Sequence, residues 1–158
     1  MIEQHKLRGI FYLLPTITKT DNTINFQEQF VCTLTKNKWR SGKSIFIACE
    51  TKSQAMKINK FLWQFDQNSF LPHDLFGPYI DETPIVIYWP QHCYHNQTKD
   101  ILINLMKKNM HLFQNFNEII DFVPENKNLK KWARIRYKIY KNTGFHIRVL
   151  NALHYIQD

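Results

Sequence analysis

Four short stretches of this chain are apolar along their length instead of alternating: Gly9-Ile-Phe-Tyr-Leu-Leu-Pro15, Lys43-Ser-Ile-Phe-Ile-Ala-Cys49, Pro84-Ile-Val-Ile-Tyr-Trp-Pro90 and Glu118-Ile-Ile-Asp-Phe-Val-Pro124. A strand with one wet face alternates with period two, so runs of this kind suit strands covered on both faces, as in parallel sheets. Parallel neighbours need long crossovers, and each run is separated from the next by a segment with helical marks. Phe26, Phe30, Val31 and Leu34 recur at helical spacing and stop at Ser41-Gly42. Thr51 with Gln54 three residues on makes a capping box, followed by Ala55, Ile58, Phe61, Leu62 and Phe65. Asp100-Ile-Leu-Ile-Asn-Leu-Met predicts a third helix, and Asn128 to Lys141 a fourth that stops before Gly144. The expected fold is a three-layer α/β/α domain with a largely parallel open sheet and right-handed crossovers, Rossmann-like in topology.

The 158 residues fit one domain spanning 1–158, with 146–158 a C-terminal tail of unassigned role. No apolar run approaches the roughly 20 residues that cross a bilayer, and the N-terminal MIEQHKLRGIFYLLP is too short and broken for a secretory signal. The expectation is a soluble, cytoplasmic protein without a membrane partner. Cys32, Cys49 and Cys93 form no CxxC pair and are odd in number, which argues for buried thiols over a disulfide framework.

The chemical motifs fail one by one. Arg40-Ser-Gly-Lys-Ser44 ends like a phosphate-binding loop, but the first glycine would fall at Asn37, and a helix precedes the segment where a strand is required. A helix-to-strand turn with no nucleotide site is expected there. Gln91-His-Cys-Tyr-His95 gathers two imidazoles and a thiol without the second ligand pair that tetrahedral zinc needs. His73 beside Asp74 has no serine or cysteine elbow to activate. Glu118 and Asp121, three apart on a strand, point to opposite faces. No catalytic residue, metal or cofactor is expected, and a dinucleotide-binding enzyme on this sheet is disfavoured by the missing glycine fingerprint.

Charge is more informative. The formal net charge is +8, yet up to Glu125 thirteen basic residues face twelve acidic ones, whereas from Asn126 onward eight basic residues face only Asp158. A basic surface confined to the last fifth of the chain calls for an acidic partner, either phosphate backbone or an acidic peptide. At 100° per residue Leu129, Trp132, Ala133, Arg136 and Tyr140 make the core face of the last helix, with the Arg136 stem buried and its head reaching solvent. Lys130, Arg134, Tyr137, Lys138 and Lys141 fall on the other side. A helical charge run is ordinarily a solvated face. Tyrosine among four cations, with no acidic residue, makes this one a candidate docking face.

A set of stretches, in order, resembles the chi family of DNA polymerase III holoenzyme subunits: FYLL from Phe11, WRSGK from Trp39, IACE ending at Glu50, FLW ending at Trp63, SFLPHDL from Ser69, YWPQ ending at Gln91, KDILINL from Lys99, and DFVP from Asp121 followed by LKKWARIRYKIYKNTGF. The likeness covers about positions 10 to 145 and departs in the first eight residues, around Phe76 to Glu82, at Trp132 and Ile135, and after Phe145. It implies a non-catalytic adaptor of the clamp-loader assembly, acting in DNA replication. Such a subunit pairs with psi, binds the acidic C-terminal tail of single-stranded-DNA-binding protein, and meets nucleic acid only through that protein. The tail-binding positions that carry over are Val123, Lys130, Arg134, Tyr137 and Lys138; those for psi are Trp63 and Phe70, with ordinary core as the plainer reading of Trp63. Direct nucleic-acid binding by the same basic helix is the alternative, and it requires Trp132 to point outward as a stacking surface.

Overall fold

In a computed structural model, the structure describes residues 6–16, 26–64, 70–77, 83–90, 99–108 and 112–157. Among these, seven strands form one sheet: β1 (Arg8–Leu13), β2 (Ile45–Ala48), β3 (His73–Leu75), β4 (Ile85–Tyr88), β5 (Ile101–Asn104), β6 (Glu118–Val123) and β7 (His146–Asn151). Their order is β3-β4-β2-β5-β6-β1-β7, and every pairing is parallel. The helices are α1 (Phe26–Arg40), α2 (Lys52–Gln64) and α3 (Lys127–Thr143).

Two cores make the three layers. On one face Phe30, Val31, Cys32 and Leu34 of α1 and Ala55, Ile58 and Leu62 of α2 pack with Ile45, Ile47, Ile101 and Ile103. On the other, Ala133 and Tyr140 of α3 and the 3-10 turn Leu112–Asn115 cover Phe11, Phe46, Leu102 and Ile119. The strands β2, β4 and β5 are buried at every position, which is why their sequences do not alternate. The expected helix and strand stripes of β1, α1, β2, α2, β4, β6 and α3 are all present; Phe65 lies outside the described residues.

Asp100-Ile-Leu-Ile-Asn-Leu-Met is not a helix. Ile101–Asn104 is a strand wedged between β2 and β6 with both faces buried. Each of its fully buried aliphatic side chains contributes roughly 1.5–3 kcal/mol, which outweighs the modest helical preference of four residues. Asp100, at the start of the expected helix, instead ties two strands: its carboxylate accepts from the Ser44 backbone N–H at 2.8 Å and the Ser44 hydroxyl at 3.0 Å.

The local signals are realised in atomic detail. Gly42 takes φ +87° between α1 and β2, so the GKS segment is a helix-to-strand turn. The Gln54 N–H donates to Thr51 Oγ1 at 3.1 Å, and Gln54 Oε1 accepts from the Glu50 N–H at 2.8 Å, one residue earlier than in the usual capping box. Cys32 and Cys49 are buried free thiols; Cys93 and the whole of 91–95 lie outside the described residues. The segment after Phe145, left without a role on sequence grounds, supplies the edge strand β7 and a 3-10 turn, Ala152–Gln157.

Candidate protein-docking surfaces

The last helix is fastened at both ends and in the middle. Asn126 caps it, its side-chain oxygen accepting from the N–H groups of Asn128 (3.0 Å) and Leu129 (3.2 Å). Gly144 closes it at φ +111°, its N–H donating to the Lys141 carbonyl. Between them the inner face carries a polar anchor. The Asp121 carboxylate on β6 receives Arg136 Nε at 2.9 Å and Nη2 at 3.1 Å, the Tyr140 hydroxyl at 2.9 Å, Asn104 Nδ2 at 3.1 Å and the Phe122 N–H at 2.7 Å. Arg136 Nη1 donates to the Lys107 carbonyl at 2.9 Å. Burial, reinforced by the adjacent Asp121 charge, holds the Tyr140 hydroxyl well above the ordinary tyrosine range.

This corrects the sequence reading of Arg136. Its head does not reach solvent; the buried carboxylate of Asp121 draws it in, because an isolated buried charge is costly. The network was visible only as an acidic residue inside an apolar strand and an arginine on the apolar stripe of a helix. Glu118, on the opposite face of β6, pairs instead with Lys38 of α1 at 3.3 Å. Leu129, assigned to the core stripe, is 37% exposed, whereas Ala133 and Tyr140 are buried and Trp132 is half-buried beneath Lys108, whose Nζ lies 4.7 Å from the ring centre.

With Arg136 facing inward, the outward side of α3 presents Arg134, Lys138 and Lys141 exposed and Lys130 half-buried. The half-buried Tyr137 turns back onto the sheet, edge-on to Phe11 at 5.6 Å between ring centres. Val123, at the end of β6, is half-buried on the same sheet face and packs with Tyr137 against the same core cluster. All five of the positions singled out around the last helix are therefore on one side of the molecule, combining three cations with two partly apolar walls. No acidic residue occurs within α3 to neutralise them.

Trp63 and Phe70 form a separate feature. Trp63, the penultimate residue of α2, is 58% exposed and Phe70 is 69% exposed, so Trp63 is not core. Their rings lie 6.0 Å apart, and Trp63 also covers His73 at 4.6 Å. His73 Nδ1 is 2.6 Å from the Leu71 carbonyl, a contact that orients the ring within β3 and leaves Asp74 bonded to the Leu75 N–H. The pair His73 and Asp74 is thus structural in its contacts. Among the described residues no three His, Cys, Asp or Glu side chains gather as metal ligands, and no helix is long and apolar enough to cross a membrane.

A family model described as "DNA polymerase III chi subunit, HolC" matches residues 8–148. The chain is 40% identical over 138 residues to the DNA polymerase III subunit chi of Escherichia coli strain K12, covering 87% of this chain and 92% of that protein. It is 39% identical over 143 residues to the subunit chi of Haemophilus influenzae, covering 90% and 95%. A crystal structure of T4 UvsW superposes with a TM-score of 0.60 at 11% identity, over 93% of this chain but only 42% of that one, a likeness of fold alone. The length and order of these matches, added to the parallel sheet and the helix set found in the structure, place the chain in the family of DNA polymerase III chi subunits.

Proposed function

We propose that this protein is a non-catalytic adaptor of the clamp-loader assembly, pairing with a psi subunit and binding the acidic C-terminal tail of single-stranded-DNA-binding protein. The observation that carries the reading is the outward face of α3. Arg134, Lys130 and Lys138 lie beside Tyr137 and Val123, a combination that suits a peptide carrying both negative charge and an apolar end. Arg134 offers a planar fork for a terminal carboxylate, and the two lysines act as flanking point charges. Tyr137 and Val123 wall a slot for the last side chain. Several tails on one oligomeric partner would raise the effective concentration at this single site without new contacts.

Psi pairing is assigned to Trp63 and Phe70. Two adjacent, majority-exposed aromatic rings are unusual on a free surface and are the residue type that anchors interfaces. Trp63 is on α2 and Phe70 in the segment before β3, whereas the cations are on α3, which packs on the other face of the sheet from α2, so the protein can hold both partners at once. Direct nucleic-acid binding by α3 has less support, since Trp132 is half-buried and its ring is occupied by Lys108.

The test is fluorescence anisotropy with a labelled tail peptide. Arg134→Ala removes one charge-assisted contact, worth ~1.5–3 kcal/mol, and weakens binding by roughly ten- to a hundredfold. Lys130→Ala and Lys138→Ala cost less and chiefly flatten the salt dependence. Tight binding of a random oligonucleotide together with indifference to the peptide would reject the adaptor reading in favour of direct nucleic-acid binding.

A further inference from the structure

Helix α1 covers β1 and β6, where Phe30 packs on Tyr12 and Phe122, but it leaves a gap over the edge strand β7. Side chains alternate along a strand, and the register sets Leu150 beside Tyr12 and Arg148 beside Ile10, so both stand on the α1 face. Arg148 is nevertheless exposed and Leu150 only half-buried. The chain after β7 closes part of the gap. Its 3-10 turn, Ala152–Gln157, carries Tyr155 back to α1, where the ring meets Phe30 at 5.4 Å and Tyr12 at 5.8 Å, both edge-on. The Tyr155 hydroxyl accepts from Asn37 Nδ2 at 3.0 Å. Between helix, strands and turn remains a cavity of about 340 Å³ lined by Tyr12, Asn37, Leu150, Asn151, His154 and Tyr155. The last four lie beyond residues 8–148, the stretch that matches the family model, and neither docking surface uses any of the six.

The lining is chemically selective. It holds two phenols, two carboxamides and an imidazole, and no carboxylate. Tyr12 is 3% exposed, yet among the described residues no hydrogen bond reaches its hydroxyl. Burial pushes that hydroxyl up to about 12, so near neutral pH it stands as an O–H donor. A buried polar group of this kind calls for a partner. The carboxamides are each half used: Asn37 gives Nδ2 to Tyr155 and keeps Oδ1 as an acceptor, whereas Asn151 accepts from the Leu153 N–H at 3.0 Å and keeps Nδ2 as a donor. Donors and an acceptor on one rim match the edge of a nucleobase, which carries both, and the near-perpendicular rings of Tyr12 and Tyr155 offer it an aromatic wall. Arg148, two residues before Leu150 on the same face, adds a guanidinium beside the cavity that suits a phosphate. Glu118, the acid on this face of β6, is already paired with Lys38. Small-molecule pockets run from roughly 300 to 1,000 Å³, so a cavity at the low end suits one nucleotide rather than two.

We propose that this cavity is a ligand site for a nucleoside monophosphate unit, its base held against Tyr12 and Tyr155 and its phosphate by Arg148. A free nucleotide and a residue of a single strand present the same chemistry, and the test separates them. The site is distinct from the tail-binding face, which lies on the other side of the sheet.

The experiment titrates the full, isotope-labelled chain with adenosine monophosphate, adenosine, ribose phosphate and a hexadeoxyadenylate strand, and follows backbone amide shifts. Adenosine monophosphate should shift the amides of Leu150, Asn151 and Leu153 saturably and leave those of Arg134 and Lys138 unmoved. Adenosine should bind more weakly, and ribose phosphate, the anion without the base, should not bind there. Tyr12→Phe keeps the buried ring and removes one neutral hydrogen bond, so it should weaken the nucleotide about fivefold. Arg148→Ala should bring adenosine monophosphate down to the affinity of adenosine and leave adenosine itself unchanged. Tighter binding of the strand than of the monophosphate at the same amides identifies a strand as the source of the unit, weaker binding a free nucleotide, and either result supports the site. If no ligand shifts Leu150 to Leu153, if ribose phosphate binds as well as adenosine monophosphate, or if folded Tyr12→Phe and Asn151→Ala both bind as the wild type does, the cavity is not a nucleotide site, and tail binding at α3 is unaffected.

Discussion

Replacing Arg136 by Met keeps a long unbranched stem in the space beneath α3 but withdraws the guanidinium from Asp121. The carboxylate then loses two of its five donors, at 2.9 and 3.1 Å, and keeps Tyr140, Asn104 and the Phe122 N–H. Both members of the pair are almost fully buried, so solvent does not step in. Removing one partner of such a pair typically costs 3–5 kcal/mol, most of it the penalty of a buried charge left without its counter-ion. The three remaining donors place the expected loss near the lower end, about 3 kcal/mol. Urea unfolding followed by far-ultraviolet circular dichroism measures it as a fall in midpoint at unchanged slope. The companion variant Asp121→Asn, Arg136→Met removes both charges and should recover much of the loss, since paired removal of a buried ion pair is often close to neutral. A loss under about 1 kcal/mol for Arg136→Met, or a double variant no better than the single one, would show that the anchor of α3 is not this ion pair.

Two further outcomes are expected. Trp63→Ala and Phe70→Ala should each weaken capture of psi by tenfold or more while leaving tail-peptide affinity unchanged, as measured by surface plasmon resonance with immobilised psi; folded variants that capture psi normally would move that interface elsewhere. Burial, with the neighbouring Tyr155 second, pushes the Tyr12 hydroxyl up to about 12. The unfolded chain ionises this tyrosine near 10, so the native state holds the extra proton and stability falls as pH rises from 10 toward 12. Tyr12→Phe should show a shallower alkaline fall in urea midpoint, and an identical profile would dismiss the linkage.

The residues that could be read correctly from sequence are those whose environment is set within one element. β2 and β4 are interior strands, so their apolar runs betray them, and Thr51, Gln54 and Gly42 act through backbone groups a few residues away. Failures arose where a partner distant in sequence decides the outcome. Ile101–Asn104 has too few residues to show a period, and only the neighbouring β2 and β6 make it a strand. His73–Leu75 and His146–Asn151 are edge strands, short or half wet, and carry no apolar run at all. Arg136 looked amphipathic because the stripe of α3 is apolar; that its head turns inward depends on Asp121, fifteen residues earlier on a different element. The grouping of Lys130, Arg134, Tyr137 and Lys138 on one side of α3 was legible for the complementary reason. Helical spacing alone groups these side chains.

The central claim is that Arg134 reads the terminal carboxylate of an acidic tail, and a double-mutant cycle across the contact tests it most directly. Four dissociation constants are measured by anisotropy at fixed salt: wild type and Arg134→Ala, each with the C-terminal peptide of single-stranded-DNA-binding protein carrying a free or an amidated end. Direct contact predicts that amidation weakens the wild type by roughly tenfold or more and Arg134→Ala hardly further, giving a coupling of about 1.4 kcal/mol or more. Additive losses, with amidation costing Arg134→Ala as much as it costs the wild type, would contradict it.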